Sequence, residues 1–211
     1  MPVFRSGPGL APPWCEVESF DVVHVRPGES YLFNRSAKRE RLFVGRGDCQ
    51  IVSPAGMTRA IEGTSVELST EPGRLEVLRV FSETVLVRVC GRWGETTGGC
   101  GVFQLDNSVL PRNSGDPTGY PRTTDFDNHY HDCDEYWIIF EGRCVAVSEQ
   151  KLYVIGEGDC LATGMGYHHD LPQVIAPVRA IYFETTLEGR KRPGHLWDHT
   201  HGPASPASDR I

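Results

Sequence analysis

Sliding the second half of this chain back by 95 positions, without a gap, lays Glu135 on Glu40, Gly142 on Gly47, Cys144 on Cys49 and Gly158 on Gly63. One offset holding at four separated places points to internal duplication, so whatever unit the chain builds, it builds twice. The unit is β. Runs rich in Val, Ile, Leu, Phe and Tyr at 30–33, 41–44, 50–52, 75–81 and 85–90 are punctuated by Gly and Pro. The rhythm returns at 136–140, 144–147, 152–155 and 179–184. Strands at this spacing predict a sandwich or barrel. No amphipathic helix longer than two turns is expected. Residues 91–128, rich in Gly, Pro, Thr and Asp, read as a long connection, and 202–211 as a poorly ordered tail.

Charge and cysteine content narrow the function classes. The 211 residues carry 28 acidic and 21 basic side chains, net −7, with no Lys/Arg cluster. That excludes a nucleic-acid binder, whose affinity comes largely from phosphate contacts. No apolar run reaches the ~18 residues of a membrane-spanning helix, and residues 1–14 contain no apolar export segment. The seven cysteines (15, 49, 90, 100, 133, 144 and 160) are odd in number and lack a C-x-x-C pair. Free thiols and a cytoplasmic location are expected. Cys133 stands apart only because it lies among the candidate ligands below.

The informative stretch runs from Asn128 to Gly142. His129 and His131 are two apart, so on an extended strand both imidazoles point to one face. Glu135 follows after a polar stretch, then the apolar run 136–140 and an expected tight turn at Glu141-Gly142. Further on come Gly158, the Gly164-Met165-Gly166 turn and the adjacent pair His168-His169. Only one of two adjacent residues can face a given side of a strand. Imidazole nitrogens with a carboxylate suit Fe, Mn, Ni, Zn or Co.

These residues resemble the two motifs of the cupin superfamily. His-x-His-x3-Glu-x6-Gly falls on His129, His131, Glu135 and Gly142. Gly-x5-Pro-x-Gly-x2-His falls on Gly158, Gly166 and His169, with Gly164 in place of the proline and Gln173 in place of the family's terminal Asn. The likeness covers about residues 125–185 and reaches the first half through the 95-residue offset, so the chain resembles a bicupin. The resemblance implies an all-β fold of two double-stranded β-helix (jelly-roll) barrels. Its expected division is a first barrel at 15–92, a connection at 93–124, a second barrel at 125–188, and a tail at 189–211 packing on the barrel with a flexible end. It also implies one divalent transition metal held by His129, His131, Glu135 and His169. Three histidines and one carboxylate leave one or two positions of an octahedral ion open, as in a working site rather than a structural one. Cupins resembling this chain often dimerise through sheet edges, so a homodimer is open to it.

The offset predicts no metal in the first half. Asn34, Ser36 and Arg74 replace the three histidines, and only Glu40 persists, so an Arg74–Glu40 ion pair is expected there, with anion binding by the two as the lesser alternative. Around the second-half site, Glu184 and Tyr182 are candidate acid–base groups. Tyr136, Arg143, Tyr153, Tyr167 and His168 are candidate substrate contacts. Asp127, Asp132, Asp134 and Asp170 form an expected acidic rim. His195, His199 and His201 repeat the His-x-His pattern without a following carboxylate and read as a packing segment, with a second metal as the lesser alternative. The expected function is a metal enzyme acting on a small polar molecule by non-redox chemistry, of the sugar or sugar-acid isomerase, epimerase or lyase type. An Fe(II) dioxygenase and a non-catalytic small-molecule binder are the alternatives.

Overall fold

The computed structural model describes residues 2–53, 56–68, 74–110, 112, 114–189 and 191–211, and within these all side chains except those of 53, 68, 74, 75 and 78. Its regular secondary structure is almost all strand. In chain order the strands are β1 (Val3–Arg5), β2 (Val17–Val25), β3 (Tyr31–Asn34), β4 (Arg39–Arg46), β5 (Asp48–Ser53), β6 (Gly56–Ile61) and β7 (Ser65–Leu68). They continue with β8 (Arg74–Val80), β9 (Thr84–Gly91), β10 (Cys100–Leu105), β11 (Glu135–Ser148), β12 (Lys151–Gly156), β13 (Asp159–Thr163) and β14 (His169–Glu184). One short helix, α1 (Asp198–His201), lies near the C-terminus.

The first half makes two four-stranded sheets, ordered β2-β9-β4-β7 and β3-β8-β5-β6. The second half makes one sheet ordered β1-β13-β11-β14-β10, with β12 added on the far part of β11. Two expectations change here. The long connection contains β10, which pairs with β14, and the N-terminal residues contribute β1, which pairs with β13. Both segments are short and Gly-rich or Pro-flanked, so neither showed the apolar alternation that marks a strand. The second-half sheet is therefore completed from outside residues 125–188.

Strands β11 and β14 are long because each bends instead of ending. Register shifts interrupt their pairing between Ile139 and Glu141, and again between Glu141 and Arg143. The expected tight turn at Glu141-Gly142 is thus a bend within one strand. Gly142 has φ +86°, and a Cβ there would meet the Pro177 carbonyl oxygen at 1.9 Å. A glycine is needed on both counts.

Period-two alternation then assigns every side chain a face. Tyr136, Ile138 and Phe140 of β11 join Ile181 and Phe183 of β14, Phe20, Phe43, Val85, Val87 and Val89 of the first half, and Phe4 in one core between the halves. Trp137 and Ile139 face the other way, into a core with Leu161, Leu171, Val174 and Ala180. A third core, around Phe33, Leu42, Val44, Ile51 and Leu86, lies inside the first half. Strand β9 is buried along its whole length because both faces are covered, which is why it is apolar apart from Thr84 and Arg88, the latter buried against Glu40.

The tail is packed. Ala207 N–H donates to the Met165 carbonyl at 3.0 Å, and Arg210 lies against Gly164 and donates to the Trp14 carbonyl. All seven cysteines are free. Among the described residues no helix is long and apolar enough to cross a membrane.

Candidate metal centre

Strand parity selects the site. His129 and His169 face each other across an antiparallel bridge closed by two backbone hydrogen bonds of 3.2 and 2.9 Å. His131, two residues from His129, shares its face. Tyr130 and His168 point away together, their rings 5.2 Å apart. His169, not His168, therefore joins the cluster. Glu135 begins β11 on the Trp137 side, so it reaches the same interior.

The four side chains are buried, and their ligand atoms lie within 4.8 Å of one another. Each histidine has its Nδ1 against a backbone carbonyl: Asp127 O at 2.9 Å, Gly194 O at 3.0 Å and Tyr167 O at 3.1 Å. A carbonyl only accepts, so all three Nδ1 atoms carry hydrogen and all three Nε2 atoms turn inward. Inside, Nε2 of His129 and His131 are 3.0 Å apart. Glu135 Oε2 lies 3.3 Å from His131 Nε2 and 2.6 Å from His169 Nε2. Glu135 Oε2 and His169 Nε2 make no hydrogen bond. Converging lone pairs in a buried space repel unless a cation lies between them. Three imidazole nitrogens and one carboxylate oxygen fit a divalent transition ion in number, type and spacing. The carbonyl contacts fix ring orientation as outer-shell partners of metal ligands do.

Electrostatics follow from this crowding. Burial pushes the Glu135 carboxyl upward, but His131 and His169 outweigh it and hold it well below the usual carboxylate range. Burial, with His169 and His131 nearby, pushes the His129 imidazole well down. Burial lowers His131 as well, yet Glu135 overrides it and raises His131 to about 9.

Glu184 is the nearest further acid. It pairs directly with Glu135 across β11 and β14, is 4% exposed, and places Oε1 3.9 Å from His131 Nδ1. Its Oε2 accepts the Gly99 N–H at 2.7 Å. A Cβ on Gly98 would come within 2.2 Å of that same oxygen, so glycine lets the backbone close over the carboxylate. Tyr182 lies two residues away on the same face, its ring against Gly99 and Gly101. Cys133 lies 4.0 Å from Glu184, and burial with that neighbour pushes its thiol far above the ordinary value. It is a small neutral neighbour of the site.

The expected substrate contacts fare differently. Tyr136 is on the opposite face of β11, where its hydroxyl accepts the Glu16 N–H at 2.8 Å between the halves. Arg143 is exposed past the Gly142 bend. His168 points outward to Asp116 at 2.9 Å. Tyr167 reaches the site through its carbonyl, and Tyr153 packs at the edge of the second-half core. The expected acidic rim is not free. Asp127 is bonded by His195 and Trp197, Asp132 by Arg192, Asp134 by Met165 N–H, and Asp170 faces Arg122 at 3.1 Å.

The segment expected to pack on the barrel covers the site, and what the sequence did not show is the part its individual groups play there. Residues 194–197 lie across the site, with Leu196 bridged to Tyr130. Gly194 supplies the carbonyl for His131, and the His195 ring stacks on His129 at 3.6 Å and 6°. A lone carbonyl acceptor has no sequence mark, whereas the repeated His-x-His was a visible hint.

In the first half a protein cation meets the surviving carboxylate. Arg88 Nη2 lies 2.7 Å from Glu40 Oε2 and also donates to the Asn34 carbonyl and Ser36 Oγ. Glu40 Oε1 takes the N–H groups of Ser36 and Ala37. An Arg74–Glu40 pair was expected; the described cation on Glu40 is Arg88 of β9. The Arg74 side chain lies outside the described residues.

No family model matches the chain. Similar solved structures include AerE from Microcystis aeruginosa (TM-score 0.56, 8% identity, 80% of this chain and 87% of that one). A Bacillus subtilis oxalate decarboxylase variant gives TM-score 0.54 at 10% identity over 86% and 72%. An IolB-like protein from Salmonella typhimurium gives 0.51 at 16% over 86% and 88%. At these identities the likeness is one of fold. With the two motifs and the buried His129, His131, Glu135 and His169 group, it defines the class: this is a cupin. Within that class the chain belongs to the same family as the uncharacterized protein y4oW of Sinorhizobium fredii, with which it is 42% identical over 211 residues, 100% of this chain and 97% of that protein.

Proposed function

We propose that the chain is a metal-dependent enzyme acting by non-redox chemistry on a small polar molecule, in the manner of an isomerase, epimerase or lyase. A divalent ion bound by His129, His131, Glu135 and His169 would supply Lewis-acid polarisation of a carbonyl or hydroxyl. The observation that carries the reading is Glu184, a buried carboxylate beside the ligand group that is no member of it. Its Oε2 is held by the Gly99 N–H, and its Oε1 lies 3.9 Å from Nδ1 of the His131 ring, beside the ligand group. Such a group moves a proton to or from bound substrate. Phe126 and Trp137 pack against the His129 and His169 rings and keep water out on that side.

A cavity of about 350 Å³ opens beside Cys133; three basic side chains (Arg92, Lys191, Arg210) and three acidic ones (Glu16, Asp134, Glu188) line it, a polar setting that suits a small polar molecule without selecting its charge. Among the fold neighbours, Bacillus subtilis oxalate decarboxylase has Mn(II) centres, a metal of the class this donor set takes. We also read each half as a barrel of its own, supported by the separate cores around Leu42 and around Ile139.

The test is turnover of a panel of hydroxy acids, sugars and sugar acids without oxygen. Anaerobic turnover that falls about 10²–10⁴-fold in Glu184→Gln, at unchanged metal content, is expected. Turnover that requires oxygen overturns the reading.

A further inference from the structure

On the outer side of the same strands lies a second convergence of ligand groups. Asp116, preceded by a bridge between Gly115 and Asn128, is 6% exposed. His168 Nε2 faces Asp116 Oδ2 at 2.9 Å and Asp198 Oδ1 at 3.7 Å. His199 Nδ1 faces Asp116 Oδ1 at 2.7 Å. The Asp116, His168 and Asp198 ligand atoms lie within 4.8 Å of one another. Ligand atoms about 2.1 Å from one ion sit roughly 3.0–3.5 Å apart, and the two His168 separations bracket that range. The group forms one wall of a cleft of about 860 Å³, which leaves room for water or a ligand to complete a coordination shell.

We propose that Asp116, His168 and Asp198 form a second, outer site for a divalent transition ion, set by one imidazole and two carboxylates meeting at the cleft wall, with the His199 ring hydrogen-bonded to Asp116 beside them. It is separate from the buried centre, because the His168 ring, just ahead of β14, turns toward Tyr130 and Asp116 while the next residue, His169, faces the buried group. Its ligands come from three parts of the chain: the 115–128 loop, the residue before β14, and α1. A bound ion therefore ties the C-terminal segment to the sheet, the same segment whose Gly194 carbonyl orients His131. Water reaches this site, since the His199 side chain is 56% and the Asp198 side chain 48% exposed, so a chelator strips it before the buried one.

The hydrogen bonds to Asp116 from the backbone N–H groups of Asp198 and His199 would hold the segment even without an ion. The experiment must therefore count ions. The tag-free, full-length protein is stripped with chelator, titrated with Co²⁺ while visible absorption is followed, and its metal counted after gel filtration. Two equivalents are expected for the unaltered chain. One is expected for His168→Gln, one for Asp198→Asn, one for Glu135→Gln, and none for His168→Gln combined with Glu135→Gln. Asp198→Asn leaves the His168–Asp116 contact in place, so it reports on the ion even if His168→Gln loosens the segment. A single equivalent that both outer variants retain overturns the proposal, as does a second equivalent that neither variant removes. Failure of the buried centre reads differently: Glu135→Gln would then bind as much as the unaltered chain, while the outer variants still lose one equivalent.

Discussion

At the scale of single residues, the site depends on which nitrogen of each imidazole holds the hydrogen. Three backbone carbonyls settle that for His129, His131 and His169, and side-chain substitution cannot remove a carbonyl. Glu135→Gln keeps the shape but removes the anion, so it should abolish binding of the buried ion while the circular dichroism spectrum stays unchanged. The first half offers the converse test. Arg88→Met leaves Glu40 fully buried with its cation gone, which should cost about 3–5 kcal/mol of unfolding free energy in denaturant titration. Replacing both, Glu40→Leu with Arg88→Met, should restore most of it, because a matched apolar pair leaves no buried charge. A double variant as unstable as the single one would show that the pair does more than neutralise. The exchange of metal ligands was legible in the sequence through Asn34 and Ser36. The described partner of Glu40 was not, because Arg88 lies on β9 and becomes its neighbour only when β4 and β9 pair.

At the scale of elements, glycines and charge pairs set how strands meet. Gly98→Ala should push Glu184 out of place, lowering turnover with little change in metal content, because the added methyl meets a carboxylate oxygen and not a ligand. Unchanged turnover would remove Glu184 from the chemistry. The β4–β7 pairing gives a pH test. Glu67 lies between Arg39 and Arg41 at 2.7 and 2.5 Å. Partial burial raises its carboxyl, but the Arg41 hydrogen bond and charge, with Arg39, bring it below the ordinary value of 4.5. A lowered carboxylate contributes stability above its unfolded value and loses it as pH falls through the folded one. The unaltered chain should therefore lose roughly 0.2–1 kcal/mol more than Glu67→Gln on going from pH 6 to pH 3, read from urea midpoints. The central strands were legible because both their faces are apolar. Strands β1, β10 and β13 were not, since each is short and takes its place only through a partner distant in sequence. The bend at Gly142 imitates a turn locally and is resolved only by the length of β14.

At the scale of the whole molecule, the two halves are one folding problem. The core between them takes Phe20 and Phe43 from the first half and Tyr136, Phe140 and Phe183 from the second, and β1 crosses over to pair with β13. Each buried Phe is worth about 1.5–3 kcal/mol against a total stability of about 5–15 kcal/mol. Residues 94–211 expressed alone should therefore fail to fold cooperatively and should bind an apolar dye, although they hold every ligand of the buried centre. A cooperative melt of that fragment would show that the first half is dispensable. The sequence likeness between the halves was readable from one ungapped offset. The shared core was not, because alternation along a strand shows two faces without saying what covers each.

A divalent ion held by His129, His131, Glu135 and His169 would be the working centre of the molecule. Elemental analysis of the full-length protein and of Glu135→Gln, both reloaded with Co²⁺ after chelation and freed of excess by gel filtration, tests it most directly. One equivalent less in the variant, with Glu40→Gln unchanged from the parent, is the predicted result. Equal metal in the parent and Glu135→Gln would contradict the account.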